Sequence, residues 1–217
     1  MSELGGFAAA LALALCAYAA GASFHGARTG SPRWADSGAR ALWAAGAALT
    51  VCVATLLYAL VTWDFRLSYV VRNTSLATPL LYRVSALWGA QAGSLLFWSW
   101  LLALVASAAV AGQRRQHPQL SAWACAVLSA VLGFFLFLVV LERPFRTLPF
   151  APADGRGLNP LLEDPGMVAH PPLLYMGFVG LAVPYAFAMA ALVTRRLDAG
   201  WIAATRRWTC LLYTSPS

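Results

Sequence analysis

Residues 121–141 read SAWACAVLSAVLGFFLFLVVL, a run without a single charged side chain. As a helix rising 1.5 Å per residue it is about 30 Å long, the thickness of a bilayer's hydrocarbon core. Runs of the same kind flank it on both sides, at about 4–23, 41–63 and 93–112 before it and 172–194 after it. The whole 217-residue chain is 60% hydrophobic and 11% charged, with mean hydropathy +0.67. A soluble domain has no interior large enough to hide that much apolar surface. The expectation is an all-α, polytopic integral membrane bundle of five transmembrane helices, with a truncated sixth beginning near Trp208.

The first run carries only Glu3 ahead of it and lacks the basic leader of a secretory signal, so it reads as a retained span. Every basic residue is an arginine. Arg28, Arg33, Arg40, Arg114, Arg115, Arg195, Arg196, Arg206 and Arg207 fall in the connections after spans one, three and five, opposed only by Asp36 and Asp198. The other face balances its arginines with Glu3, Asp64, Glu142, Asp154, Glu163 and Asp164. Arginine-rich short loops stay inside, so the N-terminus and the two long loops, 64–88 and 142–170, are expected outside. Topology accounts for the +7 net charge, and nucleic acid is set aside.

The long loops are the place to seek function. Five prolines and three glycines between 142 and 170 forbid one continuous helix there, so a turn-rich loop with short helical pieces is expected. Cys16, Cys52 and Cys125 stand singly in apolar runs and read as small core residues. Asp154, Glu163 and Asp164 lie among Arg143, Arg146 and Arg156, which suggests ion pairs that order the loop. Serine-hydrolase, P-loop and zinc-protease motifs are missing, and no catalytic residue is assigned.

Of three histidines, His25 and His117 read as solvated interface residues. His170 differs, because Pro171 and Pro172 follow it directly. The two prolines are expected to start span five and to hold His170 extended at the membrane surface. A neutral imidazole there suits haem iron or another metal, or simply bonds to its own loop; the residues alone leave both readings open. The stretch from Trp88 to Ser94, WGAQAGS, has small residues that permit close approach of a helix or a cofactor, and Trp98 and Trp100 follow it as in an interfacial belt.

Two passages are more specific: LSYVVRNTSLATPLLYRVSALWGAQAGSLLFW at 67–98 and DGRGLNPLLEDPGMVAHPPLLYMGFVG at 154–180. Together they resemble the CcmF/NrfE-type family of cytochrome c maturation proteins, haem lyase subunits among the haem-handling membrane proteins, from near the N-terminus to about Trp208. The resemblance implies a bacterial inner-membrane protein of a complex that attaches haem to apocytochrome c, with haem held as a b-type group before attachment. It makes His170 of the HPP step an axial ligand of the haem iron, with Pro171, Pro172 and Trp88 as further cofactor-binding positions. Implied partners are membrane lipid, apocytochrome c and maturation subunits of the CcmH/CcmI and CcmE kinds.

Departures from the family pattern shape the expectation further. Gln91-Ala92 stands where many relatives carry an acidic residue. The tryptophan-rich haem segment and the second outer histidine of the family lie beyond residue 217, so the chain is expected to be an incomplete N-terminal fragment, inactive by itself. Residues 1–209 are expected to form one membrane domain. The tail CLLYTSPS, 210–217, resembles translated adaptor sequence and is set apart. The alternatives are a haem-delivery or scaffold subunit, and a small-solute transporter subunit, which the absence of mid-span acids and bases disfavours.

Overall fold

The computed structural model describes residues 2–195 and 200–214. Arg196 and Asp198 of the inner-face charge pattern, and 215–217 of the tail, lie outside the described residues. The order is α1 Ser2–Thr29, α2 Pro32–Val61, α3 Ser68–Asn73, α4 Leu80–Ser85 with a 3-10 turn at Ala86–Trp88, α5 Gln91–Gln113, α6 Pro118–Glu142, a second 3-10 turn at Pro160–Leu162, α7 Pro165–Thr194 and α8 Gly200–Thr214. Five of these helices, α1, α2, α5, α6 and α7, are long and apolar enough to cross a membrane. The five expected spans are all present, each longer than its apolar run.

α1 and α2 form an antiparallel hairpin, turned by Gly30 at φ 70° and restarted by Pro32 in the first turn of α2. Small residues set their spacing: Ala12, Cys16 and Ala19 of α1 are fully buried, as are Leu42, Ala45 and Leu49 of α2. A β-carbon on Gly38 would collide with the Ser23 hydroxyl and backbone. Close backbone approach through small residues is how helices associate where lipid removes the hydrophobic drive. α6 packs on α1, α5 bridges α2 and α6, and α7 lies against α6 and α5.

Several polar atoms inside the spans are satisfied by carbonyls of the bundle. Thr50, Thr55 and Ser99 each donate to the carbonyl four residues back, and the Cys16 thiol donates to the Ser129 carbonyl. Large apolar side chains such as Phe7, Phe134, Phe137, Leu181 and Leu192 point outward. In water they would form an association patch; in a bilayer they match the solvent. Among the described residues no charged side chain is buried, and those on the spans sit near their ends.

Two features differ from expectation. Span five begins at Pro165, seven residues before Pro172, because Asp164 accepts from the Gly166 and Met167 amides and Pro165 takes the first helical position. His170, Pro171 and Pro172 are therefore helical rather than extended. The last helix begins at Gly200 rather than near Trp208, and 210–214 continue it.

Candidate functional site

The two long loops lie at one end of the bundle, with the start of α1 and the start of α7. There the loops are joined to each other. Leu67 and Thr147 form an antiparallel bridge, the Ser68 amide donates to the Arg146 carbonyl at 2.9 Å, and the Leu148 amide donates to the Arg66 carbonyl at 2.8 Å. Farther along, the Arg156 and Gly157 amides donate to the carbonyls of Val71 and Thr74. Asp154 completes the join by accepting from the Leu76 amide at 2.8 Å and from the Gly155 amide. The expected order is present, but its cause is corrected. Asp154 and Asp164 each turn one carboxylate oxygen to backbone amides, and among the described residues neither they nor Glu163 pairs with an arginine. A carboxylate on an otherwise unpaired amide is fixed in direction, whereas an exposed ion pair of long side chains holds little.

Tyr69 is the buried post of this layer. Its hydroxyl donates to the Ala86 carbonyl at 2.8 Å, with Leu87 at 3.2 Å, and burial holds its phenol well above the usual range. Gly93 faces that ring so closely that a β-carbon would overlap both the Tyr69 hydroxyl and the Leu87 carbonyl. The small residues of WGAQAGS thus admit a tyrosine of the preceding loop. Arg83 lies over the Trp63 ring at 3.8 Å and donates to the Val61 carbonyl, clipping the same loop back to the end of α2.

His170 is exposed, two turns into α7, and no hydrogen bond to its imidazole is present among the described residues. Pro171 and Pro172 lack the amide hydrogens that would reach the carbonyls of Met167 and Val168, so the turn carrying His170 is under-bonded. Around the helix, Leu174, Leu181 and Tyr185 follow His170 on one exposed face. Tyr175 is about 140° away from it and faces the bundle.

On that inner side a ladder of rings runs between the helices. Trp98 stacks on Tyr175 at 5.5 Å and lies 5.0 Å from Phe135 and 5.9 Å from Phe178. Phe97 joins Tyr175 to Trp100 and to Trp88, the latter at 5.3 Å. Trp88 and His170 therefore stand on different sides of α7. The buried indole N–H of Trp88 has no acceptor. Among the described residues no three His, Cys, Asp or Glu side chains converge into a group that could hold a metal ion. Sequence reasoning missed Tyr69 and Tyr175; their signal was position alone, in a polar loop and on an apolar helix.

Residues 88–214 match the family model described as "Cytochrome C assembly protein". The chain is 41% identical over 212 residues to the cytochrome c-type biogenesis protein CcmF of Haemophilus influenzae, covering 96% of this chain and 33% of that protein. It is 43% identical over 214 residues to CcmF of Pseudomonas fluorescens, covering 97% and 32%. With NrfE of Haemophilus influenzae it shares 38% identity over 147 residues, 67% of this chain and 23% of that one. A solved structure titled "Cytochrome c Heme Lyase CcmF" superposes with TM-score 0.85 at 32% identity, over 98% of this chain and 33% of its own. The chain spans about a third of the length of the curated relatives it matches. The family model covers more than half of the chain, and the chain belongs to the cytochrome c assembly protein family.

Proposed function

We propose that this chain supplies five membrane helices and one haem-iron ligand, His170, of a CcmF-type haem lyase. The observation that carries the proposal is the exposed imidazole: unbonded, at the loop end of α7, above an apolar strip of Leu174, Leu181 and Tyr185 that the bundle leaves uncovered. An imidazole set over such a surface suits a flat apolar macrocycle with an iron. Pro171 and Pro172 leave that turn able to adjust without breaking two helix bonds. When bound, haem supplies the vinyl groups to which apocytochrome cysteine thiols add to give thioethers. This chain's part is to orient it. Trp88, with its unpaired indole N–H, is a polar contact on the inner side of α7 and serves the same haem only if α7 shifts.

The loop end faces the periplasm of a bacterial inner membrane in this reading, as the arginine distribution suggests. Apocytochrome c, CcmH/CcmI-like subunits and a CcmE-like haem chaperone meet it there. The test is haem titration of the detergent-purified chain. His170→Ala is expected to lose the absorbance shift of a haem ligated by one imidazole, and added free imidazole is expected to restore it. An unchanged spectrum in His170→Ala, with no response to imidazole, would overturn the assignment.

A further inference from the structure

Beside the join of the two loops is a cavity of about 310 Å³ at the loop end of the bundle. Arg72 at the last turn of α3, Arg143 just past the end of α6 and Arg146 in the following turn line it from three sides. Gln91, in the first turn of α5, and Glu142, the last residue of α6, complete the wall. None of the three guanidinium groups has an ion pair or hydrogen bond among the described residues. Glu142 is the one carboxylate on the wall, and it accepts from the Gln91 amide at 3.0 Å. All three arginines are exposed and water screens them, but an anion seated in the cavity would gain from all three charges at once.

Three acids of this end are committed elsewhere, and among the described residues Glu3 and Glu163 pair with none of the three arginines. Asp64 pairs with Arg66 at 3.0 Å, Asp154 holds the loop join and Asp164 caps α7. Backbone geometry keeps the cluster in place: Arg143 takes a left-handed conformation at φ 49°, and its carbonyl accepts from the Arg146 amide. Gln91 and Glu142 are the terminal residues of two membrane-spanning helices, so the cavity stands level with the ends of the hydrocarbon layer. Lipid phosphates lie a few ångströms beyond that boundary, within reach of arginine side chains. Arginine forks suit phosphate oxygens better than any other cation in proteins.

We propose that this cavity is a binding site for the phosphodiester headgroup of an anionic lipid, held by Arg72, Arg143 and Arg146. The site is independent of His170 and of haem. A headgroup here clamps α3, α5 and α6 at their ends and so fixes the loop layer to the membrane surface.

The test titrates the full chain in detergent micelles with phosphatidylglycerol or phosphatidylcholine and counts retained lipids by native mass spectrometry. Wild type is expected to retain phosphatidylglycerol about tenfold better than phosphatidylcholine, since each arginine near a charged headgroup is worth roughly a fivefold gain before screening. The triple Arg72→Gln, Arg143→Gln, Arg146→Gln variant is expected to lose the preference, and the triple lysine variant to keep most of it. Should the triple variant fail to fold, Arg72→Glu serves, because Arg72 is exposed and touches no partner. Equal retention of the two lipids by wild type overturns the proposal. So does displacement of phosphatidylglycerol by millimolar inorganic phosphate, which would make the site one for soluble phosphate.

Discussion

Gly93→Ala tests whether the loop layer is built on Tyr69. In the first turn of α5 the new methyl would overlap the Leu87 carbonyl and the Tyr69 hydroxyl. Helix propensity alone favours alanine by about 1 kcal/mol. Against that, forcing a methyl into a packed site costs about 1–3 kcal/mol. If Tyr69 moves to relieve it, a buried hydroxyl loses its acceptors at about 1–3 kcal/mol. The two penalties partly replace each other, so the net expectation is a loss of about 2 kcal/mol, or roughly 4–8 °C in Tm for a chain of this size. Thermal unfolding in detergent, followed by tryptophan fluorescence, reads it. Tyr69→Phe should lose about half as much, and the double variant should lose less than the sum of the singles because the sites touch. A Gly93→Ala protein as stable as wild type, or more stable, would refute the reasoning, since it would mean that propensity alone governs the position.

Asp164→Ala should weaken the start of α7 by about 1 kcal/mol, the usual loss of a side-chain cap. Hydrogen exchange at residues 166–170 should quicken while exchange at 180–190 stays unchanged. Tyr69 also predicts an alkaline limit: burial raises its phenol, so above pH of about 10 the unfolded chain releases a proton that the folded chain retains. Stability is unaffected below that pH and falls as pH rises through it. Tyr69→Phe should flatten the decline, measured as midpoint temperature against pH.

The spans were legible because a bilayer imposes one length and one composition on every helix that crosses it, and residues 121–141 meet both. The loop layer was not. Its holding contacts are between backbone groups, such as Ser68 to Arg146 and Leu148 to Arg66, and backbone pairing leaves little trace in side-chain chemistry. Composition did place acids and arginines together in the second loop. It could not show that Asp154 reaches an amide of the first loop, 78 residues away, instead of the neighbouring arginines. The small residues of WGAQAGS marked a close approach without naming what approaches, and Tyr69 is the answer the fold gives.

At His170 two local signals compete. A proline pair after a histidine argues for an extended residue and a helix that begins at the second proline. Asp164-Pro165 argues for a helix already under way, with a capping carboxylate and a proline where a helix tolerates one. The second signal prevails because two capping bonds from Asp164 and the apolar run that continues to Thr194 outweigh the two amide bonds missing at Pro171 and Pro172. The outcome matters for function. An extended His170 would belong to the loop; a helical His170 turns instead onto an exposed face of α7 with Leu174, Leu181 and Tyr185. Under the proposed ligation, an iron held by His170 would be shared with something that packs against that outer face, and the bundle would form one wall of the site.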